Sequence, residues 1–434
     1  MPEAPSTITV SPESLSAQRE GGTFSLSVKA PTRPGISSDV SWVSITDGTY
    51  KDYSITYAIN VQAYGDYGSR EATLTVTAGT LSKTVTLTQQ GREYVETNVE
   101  INKNLVTPNP TEGANDLYGF LMENYGKKCI SSVMADVNWN TKIARAVYQN
   151  TGKYPAMNCF DFIHIYVPEN NWINYSDIKP VTDWHSAGGI VSLMWHFNVP
   201  LSESTQVKTD GSGVTCSPDK TTFKASNALK DGTWEHDWYI DQMDKVATII
   251  LQLQEQGIAA IWRPYHEAAG NYYALQWSGS AWFWWGAEGP EVFKALWNDM
   301  FSRFADKGIR NLIWVWTAQN QNGNPSAYGS DEAWYPGDDK VDIVARDIYG
   351  STTDNVVLDF TSLQNTYNHK MITLGECGRG SSEFPALSGI WAGGGAYSWF
   401  MPWYDSGATM VSWNWWKAAF DSGFVISRED LPEL

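Results

Sequence analysis

The sequence predicts a multidomain chain in which a small all-β sandwich precedes an α/β domain of the (β/α)8 TIM-barrel class. Residues 1–92 alternate with period two, and strand-like apolar runs then alternate with helical patterns eight times. The 434 residues exceed one ordinary core but suit a barrel of roughly 250 residues plus a small module.

In the first part, Phe24, Leu26 and Val28 share one strand face. Ile55, Tyr57, Ile59 and Val61 share another, and Leu74, Val76 and Ala78 with Val85 and Leu87 read as a hairpin around Gly79 and Thr80. Thr and Ser fill the alternate, solvent-facing positions. Residues 93–115 are rich in Asn, Thr, Pro and Glu without a sustained period, and read as a linker leading into a second domain at 116–434.

Eight strands are expected there, at Cys129 to Met134, Phe160 to Tyr166, Gly189 to Trp195, Ala259 to Trp262, Asn311 to Trp316, Val341 to Asp347, Met371 to Gly375 and Ala408 to Trp413. Between them, Asp237 to Gln256 carries a helical stripe (Ile240, Met243, Val246, Ile250, Leu253) that stops at Gly257. Pro290 to Lys307 starts with proline at its first helical position and stops before Gly308.

The net charge of −18 and pI near 4.7 argue against nucleic acid or an anionic membrane as partner. No apolar stretch reaches the roughly 20 residues of a membrane-spanning helix. The 22 Trp and 22 Tyr fall largely in segments that also hold Gly, Asn and Asp, a mixture suited to the apolar faces and hydroxyls of sugar rings as well as to a large core. Cys129, Cys159, Cys216 and Cys377 show no C-x-x-C spacing, and Cys159 and Cys377 read as buried thiols.

Two glutamates carry the strongest chemical signal. Glu267 ends the run Ile258 to Glu267, and Glu376 ends the run Met371 to Glu376. A carboxyl at the end of an apolar strand is costly to desolvate without partners or a task. Barrel strands gather their C-terminal ends on one face, and the fourth and seventh lie opposite each other. Two carboxyls about 5 to 5.5 Å apart there would cleave a glycosidic bond with retention of configuration. His266 and Arg263 stand beside Glu267, and Gly375 and Gly378 flank Glu376 closely enough to admit a ligand or backbone.

The segments Gly188 to Asn198, Trp262 to Glu267, Ala281 to Gly286, Asn311 to Trp316, Tyr335 to Asp338 with Asp347 to Tyr349, and Leu374 to Gly378 resemble, in order and spacing, the motifs of glycoside hydrolase family 26. The resemblance runs from about residue 116 to the end. It implies a retaining endo-β-1,4-mannanase with Glu267 as acid/base and Glu376 as nucleophile. It further implies that His196, Arg263 and His266 line the central subsite, that Asp347 and Tyr349 position the sugar and the nucleophile, and that Trp282 and Trp413 supply stacking platforms. Asn271 to Ser280 is inserted before Trp282, so Trp285 or Tyr272 are alternatives for that platform. Residues 1–92 resemble the BACON module, an immunoglobulin-like sandwich, through Ser41 to Ser44, Arg70 to Val76 and Thr84 to Gly91.

The expected partner is a β-mannan, glucomannan or galactomannan, acted on by an exported monomer that needs no cofactor. No metal site is expected, because H-E-x-x-H is absent and Lys208 to Asp219 lacks calcium-ligand spacing. Two alternatives stay open. One is an enzyme of the same family acting on xylan or mixed-linkage β-glucan, which would keep both glutamates. The other is a non-catalytic glycan-binding protein, which would need neither.

Overall fold

A computed structural model of the chain describes residues 4–64, 69–91, 99–136, 139–167, 172–270, 281–319, 331–404 and 407–433. The chain divides into two compact units.

The first unit holds strands β1 (Thr9–Ser11), β2 (Ser14–Ala17), β3 (Gly22–Lys29), β4 (Gly35–Ser38), β5 (Val43–Thr46), β6 (Ser54–Val61), β7 (Ser69–Ala78) and β8 (Leu81–Gln90). They form two four-stranded sheets, ordered β1-β3-β6-β5 and β2-β8-β7-β4. The alternating apolar positions close the core: Leu26, Val28, Tyr57, Ile59, Leu74, Val76, Val85 and Leu87 are all buried, while Phe24 packs at its margin. Ala78 pairs with Leu81, so Gly79 and Thr80 make a two-residue hairpin turn. That turn needs left-handed backbone, which Gly79 adopts with φ +60°. Three of the aromatics are tied into the sandwich. The Tyr57 hydroxyl donates to Pro34 O, and the Arg70 guanidinium lies 4.0 Å over Trp42 and 4.4 Å over Tyr64. Tyr67 lies outside the described residues.

The second unit is an eight-stranded parallel barrel. Its strands are β9 (Cys129–Met134), β10 (Met157–Asp161), β11 (Ile190–Trp195), β14 (Ala260–Pro264), β15 (Leu312–Ala318), β16 (Ile343–Tyr349), β17 (Met371–Gly378) and β18 (Trp399–Phe400); β12 (Val199–Pro200) and β13 (Val214–Thr215) form a small ribbon beyond β11. Helices α1 (Glu112–Asn124), α2 (Lys142–Thr151), α3 (Lys179–Ser186), α4 (Ala225–Ala228), α5 (Trp234–Glu255), α6 (Pro290–Asp306), α7 (Thr353–Thr366), α8 (Leu387–Ala392) and α9 (Trp413–Asp421) connect them. Every barrel strand contributes to one apolar cluster that includes Ile130, Met157, Met194, Ile261, Val315, Ala345, Met371 and Trp399.

The ring closes through its shortest member. β18 pairs with β9, and the Ser398 and Cys377 amides donate to Ile372 O and Met401 O to join it to β17. The eighth strand is thus Trp399–Phe400, not Ala408 to Trp413. Trp413 instead opens α9, whose N-cap is the Ser412 hydroxyl. The second strand is Met157–Asp161 and ends before most of the expected Phe160 to Tyr166, where the chain turns instead.

The described part of the expected linker is fastened to the barrel. Val106 N–H donates to Asp342, the Thr107 hydroxyl to Leu312 O and Thr111 N–H to Arg310 O, and α1 already starts at Glu112. Among the described residues, no helix is long and apolar enough to cross a membrane.

Candidate active site

Arg263 is the hub of the strand ends. It sits near the end of β14, is buried, and reaches three neighbouring strands: its Nε–H donates to Thr317 Oγ1 on β15 at 2.9 Å, one terminal nitrogen to Asp347 on β16, and the other to Glu376 Oε1 on β17 at 2.8 Å. A planar guanidinium spreads its donors over three nitrogens and so spans this triangle of acceptors, whereas an ammonium would have to reach all three from a single atom. The β16–β17 register shifts between Arg346 and Asp347, and the shift sets Asp347 opposite Glu376. Tyr349, two residues on, donates its hydroxyl to Glu376 Oε2 at 2.6 Å. Both oxygens of Glu376 are therefore held.

Gly375 makes this arrangement possible. A Cβ there would lie 2.6 Å from Asp347 Oδ1 and 3.0 Å from Arg263 Nε, so only hydrogen fits beneath the ion pair.

Glu267 approaches from the opposite wall. One carboxylate oxygen from each of Glu267, Asp347 and Glu376 lies within 4.8 Å of the others. Glu267 has φ +50° and Tyr265 φ +48°, left-handed conformations unusual for residues with side chains. Among the described residues nothing hydrogen-bonds the Glu267 carboxyl. Burial raises its pKa well above the ordinary range, and the charges of Asp347 and Glu376 push it further against the pull of Arg263. Burial also keeps the Tyr349 phenol protonated, with Glu376 adding to the effect.

Two histidines meet edge to face in the same cleft. His196 follows β11, and its ring centroid is 4.5 Å from that of His266. Burial lowers His266, and the neighbouring His196 and Arg263 lower it further. For His196 burial acts the same way, but the Asp161 carboxylate outweighs it and the net shift is upward.

Of the expected platforms, Trp282 is half-buried in the segment after Glu267. Trp285 is fully buried, donates its Nε1–H to His266 O and stacks on Phe283, so it supports the cleft wall and offers no face to a ligand. Tyr272 lies outside the described residues. Trp413 is half-buried at the start of a helix. Trp403, just past β18, places its ring 5.6 Å from His196, and Phe283 lies 4.9 Å from His266. Neither was foreseen, nor was Asp161 at the end of β10. A charged residue ending the apolar run Met157 to Asp161 is the signal that could have flagged Asp161.

Glu267, Asp347 and Glu376 are also the one grouping among the described residues with ligand types and spacing for a cation. The Arg263 guanidinium already bonds two of the three and supplies positive charge there. Burial raises the thiols, Cys159 to about 12, which suits packing and not nucleophilic chemistry.

The glycosyl hydrolase family 26 model matches residues 106–430. The chain belongs to that family. The BACON model matches residues 33–90. The family 26 domain of a Prevotella bryantii endo-β-mannanase/endo-β-glucanase superposes with a TM-score of 0.73 at 48% identity, over 76% of this chain and 99% of that one. A β-mannanase from a protist symbiont of the termite Reticulitermes speratus gives 0.64 at 29% identity, over 78% and 100%. A mannan endo-1,4-β-mannosidase of Thermothelomyces thermophilus is 30% identical over 76% of this chain, and the match spans 64% of that protein's length.

Proposed function

We propose that this family 26 protein is a retaining endo-β-1,4-mannanase that hydrolyses internal linkages of mannan, glucomannan or galactomannan. The observation that carries the mechanism is the Glu267–Glu376 pair, with oxygens within 4.8 Å. Retaining enzymes hold their carboxyls about 5–5.5 Å apart, whereas inverting enzymes need about 6.5–9.5 Å to admit a water. The relatives named mannanases carry the substrate class.

In the first step Glu376 attacks the anomeric carbon while Glu267 gives its proton to the departing glycosidic oxygen. Arg263 and Tyr349 keep the attacking carboxylate on its line. In the second step Glu267, now ionised, takes a proton from a water that attacks the anomeric carbon, which breaks the bond to Glu376 and releases the sugar with its original configuration. Asp347, His196 and His266 face the ring being cleaved, and Trp403 and Phe283 are the aromatic faces nearest to it. Trp282 is retained as a stacking platform further along the cleft, and Trp413 as a more distant candidate.

The assignment is tested by reducing-end release from purified mannan, glucomannan, xylan and mixed-linkage β-glucan. Mannan and glucomannan should lead. Faster release from xylan or β-glucan would leave the mechanism standing and overturn the substrate. No release from any of the four would leave a glycan-binding protein.

We further propose residues 1–92 as an accessory module, 93–115 as the lead-in and 116–434 as the catalytic domain, acting as an exported monomer. Export follows from the substrate, since a polysaccharide does not cross a membrane intact.

A further inference from the structure

We propose that Asp161 is a positioning residue for this reaction: it grips His196 at two points, sets the orientation of its ring and holds it as an imidazolium whose Nε2–H donates to a hydroxyl of the sugar bound beside Glu376. The inference rests on the glycosidase reading of the site.

Asp161 ends β10 and is fully buried. Its Oδ1 accepts the His196 backbone N–H at 3.0 Å, and its Oδ2 pairs with His196 Nδ1 at 2.5 Å. Among the described residues these are the only hydrogen bonds on that carboxylate. A buried carboxylate is stable only when its charge is balanced. The nearest group able to balance it is the imidazole it already holds.

The groups facing His196 from other elements are His164 from just past β10, His266 and Arg263 from the β14 end, Glu376 from β17, and the neutral rings of Phe283 and Trp403. Glu376 favours a charged His196; Arg263 opposes it, and His266 is itself driven neutral. Asp161 thus favours the charged form of His196, while burial, His196 and Arg263 favour the neutral form of the touching His266. The His196 side chain keeps 13% of its surface exposed, and Nε2 has no protein partner among the described residues, so that N–H is available to a ligand.

The direct test is the imidazole nitrogen spectrum of full-length protein labelled at histidine, with the His196 signal assigned by its loss in His196→Gln. The proposal expects both His196 nitrogens protonated at pH 7, with neutralisation only on further rise. A neutral His196 at pH 7, with Asp161 carrying the proton, would overturn it whatever the variants do. In Asp161→Asn the His196 titration should move down by at least one pH unit. Turnover of mannan at pH 7 should fall about 10- to 100-fold, and less at pH 5, where His196 is recharged; equal losses at both pH values would reduce Asp161 to a packing role. Glu376→Ala separates the two readings: if it is inactive while Asp161→Asn is unchanged at every pH, the enzyme assignment stands and this inference fails.

Discussion

Glu267 and Glu376 are the same residue at the ends of two strands in one ring, and nearly everything around them differs. Glu376 lies within β17, is buried, and gives each oxygen to a donor. Glu267 lies past the end of β14, half-buried, with no donor on its carboxyl among the described residues and two acidic neighbours. Surroundings, not identity, separate a carboxyl whose pKa is pushed up from one held in place by two donors. The barrel sets this difference by sending Arg263 from the strand that leads to Glu267 across to bond Glu376.

The comparison breaks most sharply by truncation. Glu376→Ala should lower turnover of mannan by about 10⁴-fold or more. Added azide should restore cleavage of an activated aryl β-mannoside and give the α-azide; a β-azide would exchange the two assignments. Glu267→Gln should cost about 10² to 10⁴-fold on mannan, much less on a substrate with a good leaving group, and should remove the alkaline limb of the pH profile. An unchanged alkaline limb would mean that another group donates the proton.

Stability should respond in the opposite sense. The pKa of Glu267 is raised by folding, so its contribution is greatest below the ordinary carboxyl range and is lost as pH climbs through the raised value. Glu267→Gln should therefore melt at a higher temperature than the parent at pH 8 and show little difference at pH 4. Tyr349→Phe removes one donor from Glu376 and should cost roughly 10- to 100-fold in turnover with the fold intact. Gly375→Ala, the mildest change, should destabilise by about 1–3 kcal/mol by pushing Asp347 off Arg263, measurable by denaturant unfolding.

Both glutamates and their arginine were legible because a charge closing an apolar run is a local signal that survives without a structure. The long helices were legible for the same reason: the Met243, Val246, Ile250 and Leu253 stripe is buried as its period requires. The eighth strand was not. Trp399–Phe400 is two residues long, too short for any period, and its extended form is set by pairing with Ile130 and Ser131 far away in sequence. With that strand misplaced, Trp403 could not be recognised. Asp161 was hidden differently. The strand was read as Phe160 to Tyr166, which put the carboxyl at its beginning, while the structure puts it at the end of Met157–Asp161 beside His196.

The paired left-handed residues Tyr265 and Glu267 have one more implication. Their corkscrew sends Tyr265 inward, where its hydroxyl meets that of Tyr239, and leaves the next two side chains for the cleft. Such dihedrals cost of order 1–3 kcal/mol each, and they persist in the resting protein because the surrounding core overdetermines them. On the proposed mechanism, the proton donor is thus aimed before any polysaccharide arrives. The enzyme meets the expense of alignment once, when it folds, and no catalytic cycle has to repeat it.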